Sequence, residues 1–71
     1  MPDMKSVNSS QVDSIGYDAS TQELHVTWNR SLKTSVYEGV PPEVAHEVVN
    51  AWSVGQALAT TIKPHYPHKY I

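Results

Sequence analysis

Ser14-Ile15-Gly16-Tyr17-Asp18-Ala19-Ser20-Thr21-Gln22-Glu23-Leu24-His25-Val26-Thr27-Trp28 is the stretch that decides the fold. Its second half alternates strictly: Leu24, Val26 and Trp28 point one way, and Glu23, His25 and Thr27 the other. That period of two belongs to a half-buried strand. Ile15 and Tyr17 alternate in the same way with Ser14, Gly16 and Asp18. The polar link Asp18 to Gln22 reads as a turn, because Asp and Ser side chains bond their own backbone there. Two such runs joined by a short polar loop predict an antiparallel hairpin with one buried face.

Downstream, Asn29-Arg30-Ser31 predicts a second turn and residues 33–40, with Val36 and Tyr37, a third strand. Pro41-Pro42 ends the sheet, since proline has no donor for the ladder yet fits the first turn of a helix. From Pro42 to Ala51 the pattern is helical, with Val44, Val48, Ala51 and Trp52 on one stripe. Glu43 and Glu47 lie near its positive N-terminal end. Ser53 is a natural cap for a second helix whose buried stripe is Val54, Leu58 and Ile62. Pro64 stops that helix, and the tail from His65 is expected to be extended. The order β-β-β-α-α predicts a two-layer α+β domain: a three-stranded antiparallel sheet followed by two helices packed on one face. Trp28 and Trp52 fall on the apolar stripes and are expected in the core. Upstream, residues 1–8 form a polar segment expected to be a flexible arm, leaving 9–71 as the single domain.

At 71 residues and without cysteine, the chain has one modest core and no disulfide to staple it. Self-association is the remaining common staple, so a homodimer is expected. No apolar run approaches the roughly 18–20 residues that span a bilayer, and the N-terminus has no signal-peptide h-region. The expectation is a cytoplasmic protein that does not enter a membrane. Net charge is -2 but unevenly spread. All seven acids lie in residues 1–47, while residues 48–71 carry two lysines and no acid. The C-terminal third is a locally basic segment on an acidic body.

Candidate chemistry is sparse. His46-Glu47-Val48-Val49-Asn50 approaches the zinc-protease helix motif, but asparagine stands where the second imidazole is needed. His65 and His68 are spaced to chelate, yet a structural zinc usually takes four ligands, often thiolates. No nucleophile is paired with a base, so neither catalysis, a cofactor nor a metal is expected. The tail Lys63-Pro64-His65-Tyr66-Pro67-His68-Lys69-Tyr70 interleaves bases and rings. That mixture suits single-stranded nucleic acid, with amines on phosphates and rings on bases. Arg30 and Lys33 at the second hairpin extend the patch.

Several pieces in order resemble the KTSC family, named for its occurrence at the C-terminus of some lysyl-tRNA synthetases. They are Ser9-Ser10-x-Val12-x-x-Ile15-Gly16-Tyr17-Asp18, then Leu24-x-Val26-x-Trp28, then Val40-Pro41 before a helix, then Ala51-x-Ser53-x-Gly55, Ile62-Lys63 and Tyr66-Pro67. The family's central Tyr-x-Tyr motif appears here as Ser35-Val36-Tyr37, with only the second tyrosine kept. The aromatic pair that commonly follows Ser-x-Gly appears as Ala57-Leu58. The resemblance implies a non-catalytic binding module, RNA-associated like its synthetase-linked relatives. Two alternatives stay open: a homo-oligomeric protein-interaction module, and a small oligomer that binds an anionic, nucleotide-like ligand at a subunit junction. The candidate binding residues are Arg30, Lys33, Tyr37, Lys63, His65, Tyr66, His68 and Lys69, and the candidate partners are RNA or a protein.

Overall fold

The structure is a computed structural model that describes residues 4–7, 10–31 and 33–70. Ser9 of the resemblance and the boundary of the expected arm at residue 8 lie outside the described residues.

The hairpin forms as its alternation demands. Strand β2 (Val12–Asp18) pairs antiparallel with β3 (Glu23–Trp28), setting Ile15 opposite Val26 and Tyr17 opposite Leu24. Asp18 closes the turn by accepting from the Ser20 amide at 3.0 Å and the Ser20 hydroxyl at 2.6 Å. Those bonds, the hydroxyl's foremost, hold the Asp18 carboxyl below its ordinary range. Val12 is out of phase with Ile15 in sequence, yet both are fully buried. The register slips between Val12 and Ser14, so Asp13 is the extra residue of a bulge and Val12 returns to the core face opposite Trp28.

The third strand forms as β4, shorter than expected at Thr34–Tyr37, and pairs antiparallel with β3. The sheet, however, has five strands rather than three, in the order β1-β2-β3-β4-β5. Lys5–Ser6, within the segment read as a loose arm, forms β1 along β2. His68–Tyr70, within the tail, forms β5 along β4. Both are edge strands with every side chain exposed. They are held by backbone bonds and bury no apolar face, so they carry no hydrophobic alternation for a sequence reading to detect. The two-layer α+β arrangement otherwise stands.

Helix α1 (Pro42–Val49) ends two residues earlier than its apolar stripe suggested. The Asn50 amide N–H donates to the His46 carbonyl at 3.1 Å, and its side chain donates to the same oxygen at 2.9 Å, closing the last turn. Trp52 thereby leaves the helix and stands fully in water, at 102% relative exposure, instead of entering the core. Ser53 caps α2 (Val54–Ala57) by accepting from the Gln56 amide. That helix widens into a π-helical turn, Leu58–Ile62, where the Lys63 amide reaches the Leu58 carbonyl at 2.8 Å. Val54, Leu58 and Ile62 are all buried, as their spacing predicted. They pack with Ala45, Val48 and Val40 on Ile15, Leu24, Val26 and Tyr37 of the central strands, and neither edge strand adds a side chain to this cluster.

The corner between sheet and helices is pinned by Val40. Its amide donates to the Gln22 carbonyl at 3.0 Å, and its own carbonyl accepts from the Tyr17 hydroxyl. Both partners lie on the first hairpin, so this corner ties the helix layer to the strands beneath it.

Candidate ligand groove

Strand register decides which of the tail residues meet. Ser35 pairs with Tyr70 and Tyr37 with His68, so these four share one face of the sheet, the face that carries the core. Trp28, at the end of β3, lies on the same face. The helix layer leaves this end uncovered, and a cavity of about 400 Å³ opens there, lined by Trp28, Ser35, Tyr37, Lys63, His68 and Tyr70.

The walls are held firmly. The Trp28 indole N–H donates to the Ser35 hydroxyl at 2.8 Å, which fixes the ring's orientation. Tyr37 is buried and packs against His68 with ring centroids 5.2 Å apart. Burial pushes its phenol above the ordinary range, with neighbouring Tyr70 adding to the shift. His68 meets Tyr70 edge to face at 5.6 Å, and both are exposed. Two amines stand over the rings. Lys63, delivered by the end of the π-helical turn, has its Nζ 4.9 Å from the Trp28 ring centroid. Lys33, just before β4, has its Nζ 5.8 Å from the Tyr70 ring centroid. A second hollow of about 630 Å³ adjoins the first and is lined by Ser10, Gln11, Trp28, Arg30 and Lys63. Trp28 and Lys63 belong to both, so the two hollows form one groove that crosses the indole.

Of the residues singled out in the sequence, Tyr37, Lys63 and His68 line the cavity, Lys33 stands over the ring of its lining residue Tyr70, and Arg30 lines the adjoining hollow. The others lie elsewhere. Lys69 sits opposite Val36, one residue out of phase with His68 and Tyr70, and so projects from the opposite face, where it pairs with Glu38 at 3.2 Å. Tyr66 is half-buried against the core. His65 is exposed in the turn after the π-helical segment. Five groove residues were not among the candidates: Ser10, Gln11, Ser35, Trp28, read most simply as core, and Tyr70, named only as part of the tail's composition. A period of two along the tail would have paired Tyr70 with His68 and separated Lys69 from both.

The remaining histidines serve other ends. His46 and Asn50, which resemble two positions of a zinc helix, form a helix end: the Asn50 side chain lies 3.3 Å from the His46 Nδ1 and caps its carbonyl. His25 is buried on the outer sheet face, 3.5 Å from the Glu23 carboxylate. Among the described residues no group of three or more His, Cys, Asp or Glu side chains is placed to hold a metal. No described helix is long and apolar enough to cross a membrane.

Fold and groove together define a small α+β module with a basic, aromatic cleft on one end of its sheet. The chain belongs to the KTSC family: the KTSC domain model matches residues 8–66. The fold is similar to the crystal structure of a KTSC domain protein from Yersinia pestis, with a TM-score of 0.92 and 28% identity over 100% of this chain and 99% of that one. A protein of Tsukamurella paurometabola is 33% identical over 63 residues, covering 89% of this chain and 92% of its own. An uncharacterized protein of Stutzerimonas stutzeri is 38% identical over 61 residues, 84% of each chain.

Proposed function

We propose that this module binds single-stranded nucleic acid, RNA in the first instance, in the groove that crosses Trp28. The observation that carries this reading is the convergence of Lys33, Lys63, Trp28, His68 and Tyr70 on one groove, with Arg30 at its far end. Exposed rings offer stacking surfaces to any base, and flanking cations track the phosphates. Folding has gathered bases from the second hairpin and from the helix end into one place, although the chain as a whole is acidic.

The test is a titration with a single-stranded RNA oligonucleotide, read by tryptophan fluorescence in a Trp52→Phe background. Trp28 is then the only indole, because the chain has two tryptophans. If Arg30, Lys33 and Lys63 each neutralise one phosphate, the slope of log K against log salt is roughly −2. Raising salt from about 50 to about 200 mM then weakens binding about 20-fold. No change in Trp28 emission at low salt, or a salt-independent affinity, rejects the reading.

A second reading, a self-associating or protein-interaction module, is favoured by Trp52. A tryptophan wholly in water is unusual for a side chain of that size, and covering it with a partner would bury large apolar area. It forms the ridge between two shallow troughs at the end of α1, one lined also by Glu47 and Gln56, the other by Lys5, Val49 and Val54. The anionic-ligand reading at a subunit junction has no comparable observation in its favour.

A further inference from the structure

We infer that Lys63 is a displaceable gate over Trp28, so that the groove admits a base only together with a phosphate that draws the lysine aside; the ligand class is therefore the nucleotide and not the nucleoside. The inference rests on the nucleic-acid reading of the same groove and concerns how a single nucleotide unit is recognised there.

The geometry is specific. The Lys63 amine covers the Trp28 ring at 4.9 Å from its centroid, the position a stacking base would take. The indole cannot swing clear to offer another surface, because its N–H is tied to Ser35 at 2.8 Å and Ser35 is itself buried. What can move is the lysine, an exposed side chain on a flexible stem. Lys63 lines both hollows together with Trp28, so its amine stands where they meet. On one side are the rings of His68 and Tyr70, on the other Arg30 and Ser10. A base on the indole therefore needs the ammonium to shift, which gives up a weak contact at an exposed site, and an anionic partner returns more than that. A phosphate held toward Arg30 supplies that partner. The base then lies between the freed indole and the Tyr70 side of the groove. A neutral nucleoside must displace the same amine and gives it nothing in return.

The probes are adenosine and adenosine 5′-monophosphate, titrated against Trp28 emission in the Trp52→Phe protein and in the same protein carrying Lys63→Ala. The charge-assisted bonds of the phosphate predict that the monophosphate binds about tenfold or more tighter than adenosine when Lys63 is present. In Lys63→Ala the monophosphate should lose affinity while adenosine gains it, so that the preference shrinks from both sides. The gain for adenosine is the distinctive result, because a lysine that merely contacts phosphate leaves nucleoside binding unchanged when removed. Adenosine that fails to gain, or that binds the unsubstituted groove as tightly as the monophosphate, overturns the gate. The RNA titration on the same protein separates the two failures: RNA that still binds with the expected salt slope leaves the groove reading intact, and RNA that does not bind removes both. Lys63 is exposed, and circular dichroism melts of Lys63→Ala that match the parent guard against a folding artefact.

Discussion

Tyr17→Phe tests the corner that ties the helices to the sheet. The hydroxyl donates to the Val40 carbonyl, and Val40 is 0% exposed, so this bond is the partner that stands in for water at that oxygen. The ring stays, packed against the core, and only the bond is removed. Leaving a buried carbonyl unsatisfied costs about 1–3 kcal/mol. In a domain of this size each kcal/mol lowers the melting midpoint by roughly 4–8 °C. A fall of at least roughly 4 °C is therefore expected in a thermal melt followed by far-UV circular dichroism. The phenol also carries a pH signature. Burial first, then the Glu43 and Asp18 carboxylates, raise its pKa above the ordinary 10.0. The folded state thus holds the phenol proton more tightly than the unfolded chain does. Its contribution is complete below about pH 10 and is lost as pH rises through the folded value. The parent should lose stability on the alkaline side, and Tyr17→Phe should lose less, with Tyr37, shifted the same way, accounting for what remains. A variant that melts within about 1 °C of the parent near neutral pH would refute the reasoning, since it would mean the Val40 carbonyl finds another donor.

Ser35→Tyr restores the family tyrosine at the groove wall; the new ring is expected to fill the space between Trp28 and Tyr70 and abolish RNA binding while the protein still folds, as read by fluorescence titration beside a thermal melt. Lys33→Glu should weaken RNA binding and flatten its salt slope by about 0.7, the share of one phosphate, whereas Lys69→Glu, on the opposite face, should change neither by more than a minor amount. Trp52→Ser should leave stability within about 0.5 kcal/mol, because the side chain is fully exposed among the described residues. If the second reading is correct, the same change abolishes any dependence of the melting midpoint on protein concentration, and a parent whose midpoint does not move over a hundredfold dilution argues against that reading.

How much of the site was legible in the chain follows from what each residue's position depends on. The basic and aromatic composition of the tail was visible, and Lys63, His68 and Tyr70 from it do line the groove. Which tail residues face the groove was not visible, because that is set by pairing with β4 and a one-residue slip reverses every side chain. Trp28 read as core from its stripe, and it does pack against the core. Its second role comes from lying at the strand's end, where the part-exposed ring meets Lys63 and the groove.

By itself the sequence determined the elements whose side chains bury an apolar face. The β2–β3 hairpin, β4, Val48 of the first helix and the Val54, Leu58 and Ile62 stripe of the second all belong to periodic patterns, because burial selects side chains at regular spacing. The tertiary structure alone decided the rest. It recruited Lys5–Ser6 and His68–Tyr70 to the sheet edges through backbone bonds that any sequence can make. It put Trp52 into water by ending α1 at an asparagine cap. It also carried Lys63 across from the helices to stand over Trp28 of the sheet, a meeting of residues distant in the chain that no local pattern encodes.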